Sequence, residues 1–185
     1  MNKTHERQIF IAVFIINFCF FLVEIVAGWL GHSMGLVADS LDMLADAIIF
    51  GVTIFIIGKA PIYKKRIAKV SGYFQFALAF LGLVEVVRRF LSDTKTPDYK
   101  TMIFISLFAL AGNALSLYMI KKAKSKDQIH IKAGTIFLSN DVIINFGVII
   151  AGILVLITQS KFPDLIIGTI VFVIVARGAY RILKL

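Results

Sequence analysis

The acidic residues of this chain are few, and several stand where acids are costly. Asp39, Asp42 and Asp46 fall within the run GLVADSLDMLADAIIF. Spacings of three and four residues set all three on one stripe of a helix. Asn17 and Glu24, seven residues apart in an earlier apolar run, also share a stripe. Asn140, Asp141 and Asn145 interrupt a third run, FLSNDVIINFGVIIAG. A carboxylate at membrane depth costs about 2.5–3.5 kcal/mol even on the mild insertion scale. No Lys or Arg lies in the middle of any of these runs, so no protein cation compensates the acids. Three remedies remain: protonation, a water-filled cavity or a bound cation. Oxygen donors on two facing helices suit a divalent metal ion, with Asp42, Asp46 and Asp141 as the candidate ligands. Binding metal requires deprotonated ligands and releases protons, which links cation to proton movement. The competing explanation, acids hydrogen-bonded between helices, is weaker for three acids on one stripe plus a fourth on another helix.

The elements that must position these side chains follow from composition. Of 185 residues, 59% are apolar and 17% charged, with a mean hydropathy of +0.89. Soluble domains have about 45–50% apolar and about 25% charged residues. A water-soluble domain is excluded. Six apolar runs, at 9–30, 35–58, 70–91, 101–120, 134–157 and 165–183, each approach the roughly 20 residues needed to cross hydrocarbon. Open strands cannot satisfy their backbone in lipid, and Pro61, Pro97 and Pro163 all lie between the runs. The expected fold is an all-α integral membrane protein, a bundle of six transmembrane helices forming a single domain over 1–185, with no soluble C-terminal domain.

The formal charge of +9 would suggest nucleic acid in a soluble protein. Here a topological account suffices. Six spans put fifteen of the 20 Lys and Arg on one side and five on the other. The positive-inside rule then sets both termini in the cytoplasm, and no nucleic-acid partner is needed. The single cysteine, Cys19, excludes an intramolecular disulfide and a cysteine-only zinc site, and reads as a buried small hydrophobe. Glu85 with Arg88 and Arg89 reads as an end-of-helix ion pair, and Asn113 as a helix-to-helix hydrogen bond. Trp29 and Tyr99 fit an interfacial aromatic belt. Gly147 with Ala151, and Gly31 with Gly35, are spaced for close helix contact. His5, His32 and His130 carry little weight.

The segment GHSMGLVADSLDMLADA resembles the second-span signature of the cation diffusion facilitators, whose two metal ligands fall on Asp42 and Asp46. NFCFFLVEIVAG, with Asn17 and Glu24, is similar to that family's first span. FLSNDVIINFGVIIAG is similar to its fifth, with the ligand aspartate at Asp141 and the family glycine at Gly147. The resemblance implies a six-helix transmembrane domain in the bacterial cytoplasmic (inner) membrane, usually a homodimer within the lipid bilayer. It would export Zn²⁺, or Co²⁺, Cd²⁺, Fe²⁺ or Mn²⁺, in exchange for protons. The metal is then transported substrate, and no permanently bound cofactor is implied. Asn17, Glu24 and Asn145 become accessory polar groups within the membrane.

Two departures from the family pattern matter. Phe137 stands where the family commonly has a histidine ligand, and a phenyl ring cannot coordinate. Asn140 or Asp39 are the replacements in reach, and an all-oxygen set favours a harder ion. The loop at 121–132 is Lys-rich rather than His-rich, and the family's C-terminal cytoplasmic domain is not expected. Enzyme readings fail on their own motifs. Asp39 and Asp42 form a D-x-x-D as in membrane CDP-alcohol phosphotransferases, but MLADAIIFG follows without the Gly and Arg those enzymes need. An intramembrane aspartyl protease would need Gly-x-Gly-Asp, which does not occur. The remaining alternative is a non-transporting homologue, a subunit or regulator, in which Phe137 marks a lost site.

Overall fold

The computed structural model describes residues 3–56, 61–122 and 129–183. They form six helices: α1 (Lys3–Leu30), α2 (Met34–Ile56), α3 (Pro61–Leu91), α4 (Tyr99–Lys121), α5 (Ile129–Thr158) and α6 (Phe162–Leu183). No strand occurs among the described residues, so the architecture is the all-α bundle expected. Residues 57–60, 123–128 and 184–185, and the side chains of His5 and His130, lie outside the described residues. Four helices carry stretches long and apolar enough to cross a bilayer: 7–30 in α1, 99–121 in α4, 134–158 in α5 and 162–180 in α6. In α2 the three aspartates break the apolar stretch, and in the described part of α3 Gln75, Glu85, Arg88 and Arg89 do so.

Short connections at the end opposite the termini have definite chemistry. The α1–α2 turn puts His32 in the left-handed region (φ 56), while Gly31 N–H returns to Ala27 O at 2.7 Å and Ser33 N–H to Gly28 O at 2.9 Å. Such bonds satisfy the last carbonyls of a helix. Gln159, also left-handed (φ 51), closes α5 in a similar way through Val155 O at 2.8 Å. Asp98 caps α4, accepting from Lys100 N–H at 3.1 Å and the Thr101 hydroxyl at 2.6 Å.

Helices pack chiefly as α1 on α2, α4 on α5 and α3 on α6, and α2 touches every other helix. Two apolar clusters result. One, towards the end opposite the termini, joins Met34, Leu36, Met102, Val148, Leu165 and Phe172. The other joins Ile9, Phe10, Val13, Phe50, Ile120 and Leu138, nearer the termini. The acids of α2 and α5 lie between them along the helices. Close approach at α3–α6 requires Gly82, where a Cβ would fall 2.2 Å from the Phe172 ring. Ile167 of α6 fits against both Gly35 and Gly147, so one glycine of each expected small-residue pair receives the same side chain.

Three sequence expectations need correction or refinement. Cys19 is exposed, not buried, on an outward stripe with Phe18 and Leu22. Asn113 is buried, but neither amide atom has a hydrogen-bond partner; the interhelical bond expected of it is not made. Trp29 is exposed at the end of α1, whereas Tyr99 is half-buried and packs against the first cluster. Glu85 does pair with Arg88 and Arg89, at 2.7 and 2.9 Å.

Candidate metal centre

The polar stripe of α2 turns inwards along its length: Asp39, Asp42 and Asp46 are all buried. The helix that carries them starts from a fully satisfied terminus. The four N–H groups of a first turn have no intrahelical partner, yet here each finds one. Met34 N–H donates to Asp164 Oδ2 at 2.6 Å and Gly35 N–H to Asp164 Oδ1 at 2.9 Å. Leu36 N–H donates to Ser33 Oγ at 3.1 Å, and the Ser33 N–H itself to Gly28 O at 2.9 Å. Ser33 Oγ itself donates to Asp164 Oδ1 at 2.6 Å. Ser33 is the local cap, and Asp164 of α6 completes it from another helix.

Further ties hold the same end of the bundle. Lys161 Nζ donates to Arg89 O at 2.9 Å and also to Ser92 O, stapling the start of α6 to the end of α3. Arg89 Nη1 donates to His32 O at 2.8 Å, and Asp98 N–H to Gly31 O at 2.9 Å. Cations thus close the carbonyl ends of helices, where the macrodipole favours them.

Between the two apolar clusters lies a cavity of about 40 Å³. Asp42 and Asp46 of α2 line it, together with Phe137, Asn140 and Asp141 of α5. Gln75 of α3 forms part of the wall, and α6 closes it with Ile174, Val175 and Gly178. One water needs roughly 10–15 Å³ by this measure, so the space holds about three. Asp141 and Asp46 are almost fully enclosed and Asp42 is 9% exposed, whereas Asn140 is exposed. Oδ2 of Asp46, Oδ2 of Asp141 and Oε1 of Gln75 have no hydrogen-bond partner. Such bare buried oxygens are costly to hold, and a cation would satisfy them.

The remaining polar candidates fall into two groups. Asn17 and Asn145 each donate to a backbone carbonyl one turn earlier, Val13 O at 3.0 Å and Asp141 O at 2.9 Å. Their own amide oxygens stay unpartnered. Glu24 and Asp39 are fully buried with all four carboxyl oxygens unpartnered; Glu24 feels the charge of Asp39 across the α1–α2 interface, and Asp39 that of Asp42 on its own helix. This pair does not line the cavity. Of the two replacements suggested for the missing histidine, the cavity holds Asn140 and not Asp39. As they stand, no three described His, Cys, Asp or Glu side chains form a closed ligand group. Three carboxylates and two amides share one small space instead.

Asp141 feels Asp46, Asp42, Asp39 and Glu24 together. Among the described residues the ion pairs are those of Glu85 with Arg88 and Arg89, so no basic side chain of the described residues neutralises this field. Gln75 and Asp164 are the two residues that sequence reasoning missed. A lone amide inside the apolar run YFQFALAF was the available signal for Gln75, since polar groups at that depth are expensive. Asp164, beside Pro163 at the start of a helix, gave no sign of its distant partners.

A helical bundle with carboxylates gathered inside it has relatives among known membrane proteins. The chain matches the Cation efflux transmembrane domain family over residues 10–65 and 67–184. It belongs to that family and is a multi-pass membrane protein. Among its relatives is the zinc transporter ZitB of Yersinia pseudotuberculosis, 26% identical over 195 residues, covering 99% of this chain and 62% of the relative. ZitB of Escherichia coli K12 is 24% identical over 176 residues, covering 89% and 56%. The cadmium, cobalt and zinc/H(+)-K(+) antiporter of Bacillus subtilis strain 168 is 25% identical over 197 residues, covering 99% and 63%. The chain thus spans about three fifths of the length of these relatives.

Proposed function

We propose that this chain moves divalent metal cations across a bacterial inner membrane, in exchange for protons, with no catalytic activity. The observation that carries this reading is the cavity that brings Asp42, Asp46 and Asp141 together, with unpartnered oxygens on Asp46 and Asp141 and no cation paired with them among the described residues. The names of the relatives, zinc transporters and a cadmium, cobalt and zinc antiporter, support Zn²⁺ as the first cargo to test. Co²⁺, Cd²⁺, Fe²⁺ and Mn²⁺ follow. A divalent ion and protons compete for the same carboxylate oxygens, because only the deprotonated groups coordinate. Exchange then follows if the bundle opens this site alternately to each side, by rocking of helices around a fixed central site.

In this reading the single six-helix domain works as a homodimer, with both termini cytoplasmic as the basic loops suggest. Asn140 supplies an additional oxygen at the exposed edge of the site. Phe137 on the cavity wall favours the second reading, a homologue that no longer transports. Uptake of divalent metal into vesicles containing the purified chain separates the two. Wild-type protein is expected to load the vesicles under an imposed pH gradient, and Asp46→Ala and Asp141→Ala to insert normally without loading them. Vesicles that load no ion with the wild-type chain would support the second reading and overturn the first.

A further inference from the structure

Gln75 belongs to the cavity by geometry but to neither sequence motif. It is the lone polar residue between Tyr73 and Glu85 on α3. Its neighbours Phe74 and Phe76 are 46% and 44% exposed, whereas Gln75 is 5% exposed. The helix is therefore rotated so that its one amide, rather than a phenyl ring, faces the acids. Burying an amide oxygen without a partner costs about 1–3 kcal/mol, and Gln75 Oε1 has none. Beside Asp42, Asp46 and Asp141, that oxygen adds negative potential to a site already rich in it. A structural amide would be expected to use the oxygen on a donor.

We infer that Gln75 is a metal-ligating residue of the transport site, giving the ion a neutral oxygen that stands in for the histidine lost at Phe137. This rests on the cation-transport reading and deepens it. Coordination by three carboxylates, the Gln75 amide oxygen and the Asn140 amide oxygen makes an all-oxygen set. Such a set favours harder divalent ions over those that prefer nitrogen or sulfur. The cavity admits only a partly dehydrated ion, which disfavours Mg²⁺ because that ion gives up its waters reluctantly. Mn²⁺ fits the donor set better. Since α3 packs on α6 while the aspartates ride on α2 and α5, the bound ion would also tie these two parts of the bundle together. Gln75 thus sets both which ion binds and which helices its binding joins.

The test is equilibrium binding to the full chain in detergent, by calorimetric titration with Mn²⁺ and with Zn²⁺. Gln75→Leu keeps bulk but removes the oxygen, and is expected to weaken Mn²⁺ binding by roughly tenfold or more and Zn²⁺ binding less. Gln75→Glu exchanges one ligand oxygen for a stronger one and is expected to bind Mn²⁺ at least as tightly as wild type. If Gln75→Leu does not fold, Gln75→Asn, which withdraws the amide by one methylene, is expected to show the same loss. Unchanged affinity and unchanged ion preference in the Leu or Asn variant overturn the assignment. So does a Gln75→Glu variant that binds as weakly as Gln75→Leu, because that pattern marks an amide donating to the carboxylates. An Asp141→Asn variant separates this from the underlying reading. Should it bind as wild type does, or should wild type bind no ion, the transport site itself is wrong and Gln75 falls with it.

Discussion

Replacing Asp164 by Ala removes the acceptor of three buried donors: the Met34 and Gly35 amides and the Ser33 hydroxyl, at 2.6–2.9 Å. Leaving a buried donor unpaired costs about 1–3 kcal/mol, so simple addition gives roughly 3–9 kcal/mol. Neighbouring groups do not add independently, and the Ser33 hydroxyl can rotate to another acceptor. The two backbone amides cannot. A loss of about 3–5 kcal/mol is expected, large enough to indicate a broken buried network. For a chain of this size each kcal/mol lowers the melting temperature by about 2–4 °C, which puts the fall near 10 °C. Thermal unfolding in detergent measures the global effect. Amide hydrogen exchange resolves the local one, with protection lost first at Met34 and Gly35. Asp164→Asn retains one acceptor oxygen and is expected to fall between Ala and wild type. An Ala variant that melts as wild type does, with both amides still protected, would refute the reasoning.

Three further outcomes follow from other parts of the fold. Gly82→Ala forces a Cβ to within 2.2 Å of the Phe172 ring, and the overpacking is expected to destabilise the α3–α6 contact by about 1–3 kcal/mol; Gly178→Ala, with open space around it, is the control in the same melting assay. Cys19, exposed on the outer face of α1 midway along its apolar stretch, should escape an impermeant, water-soluble maleimide in the bilayer and react with it once the chain is unfolded in detergent, and labelling in the intact bilayer would count against the placement of α1. The Thr101 hydroxyl, donating to Asp98, holds that carboxyl below the usual aspartate range. A depressed carboxyl stabilises above its unfolded pKa and loses that contribution as pH falls through the folded one, so the start of α4 should loosen only in acid, and Asp98→Asn should remove this dependence from amide exchange at Lys100 and Thr101.

What the sequence could reveal was set by cost. An aspartate within an apolar run has few affordable explanations, so Asp42, Asp46 and Asp141 stood out, and these three share the cavity. Helices were equally legible, because hydrocarbon leaves a chain few other ways to satisfy its backbone. Facing was not. In water an apolar side chain points inwards, but in lipid both faces of a helix can be apolar, so nothing distinguished the outward Cys19 from a core residue. The same ambiguity hid Gln75, whose role depends on the rotation of α3, and misdirected Asn113, which is buried without a partner. Asp164 was hidden for a different reason. Its partners lie about 130 residues earlier in the chain, and no local pattern encodes a cap supplied from another helix.

One carboxylate cavity is proposed to exchange metal for protons. Its most direct test records metal and pH inside the same vesicles, containing purified chain, with the membrane potential clamped. As metal enters, the lumen is expected to lose protons in step, and Asp141→Asn to abolish both signals together. Metal entry at a rate indifferent to an imposed pH gradient, or undiminished in Asp141→Asn, would contradict the account.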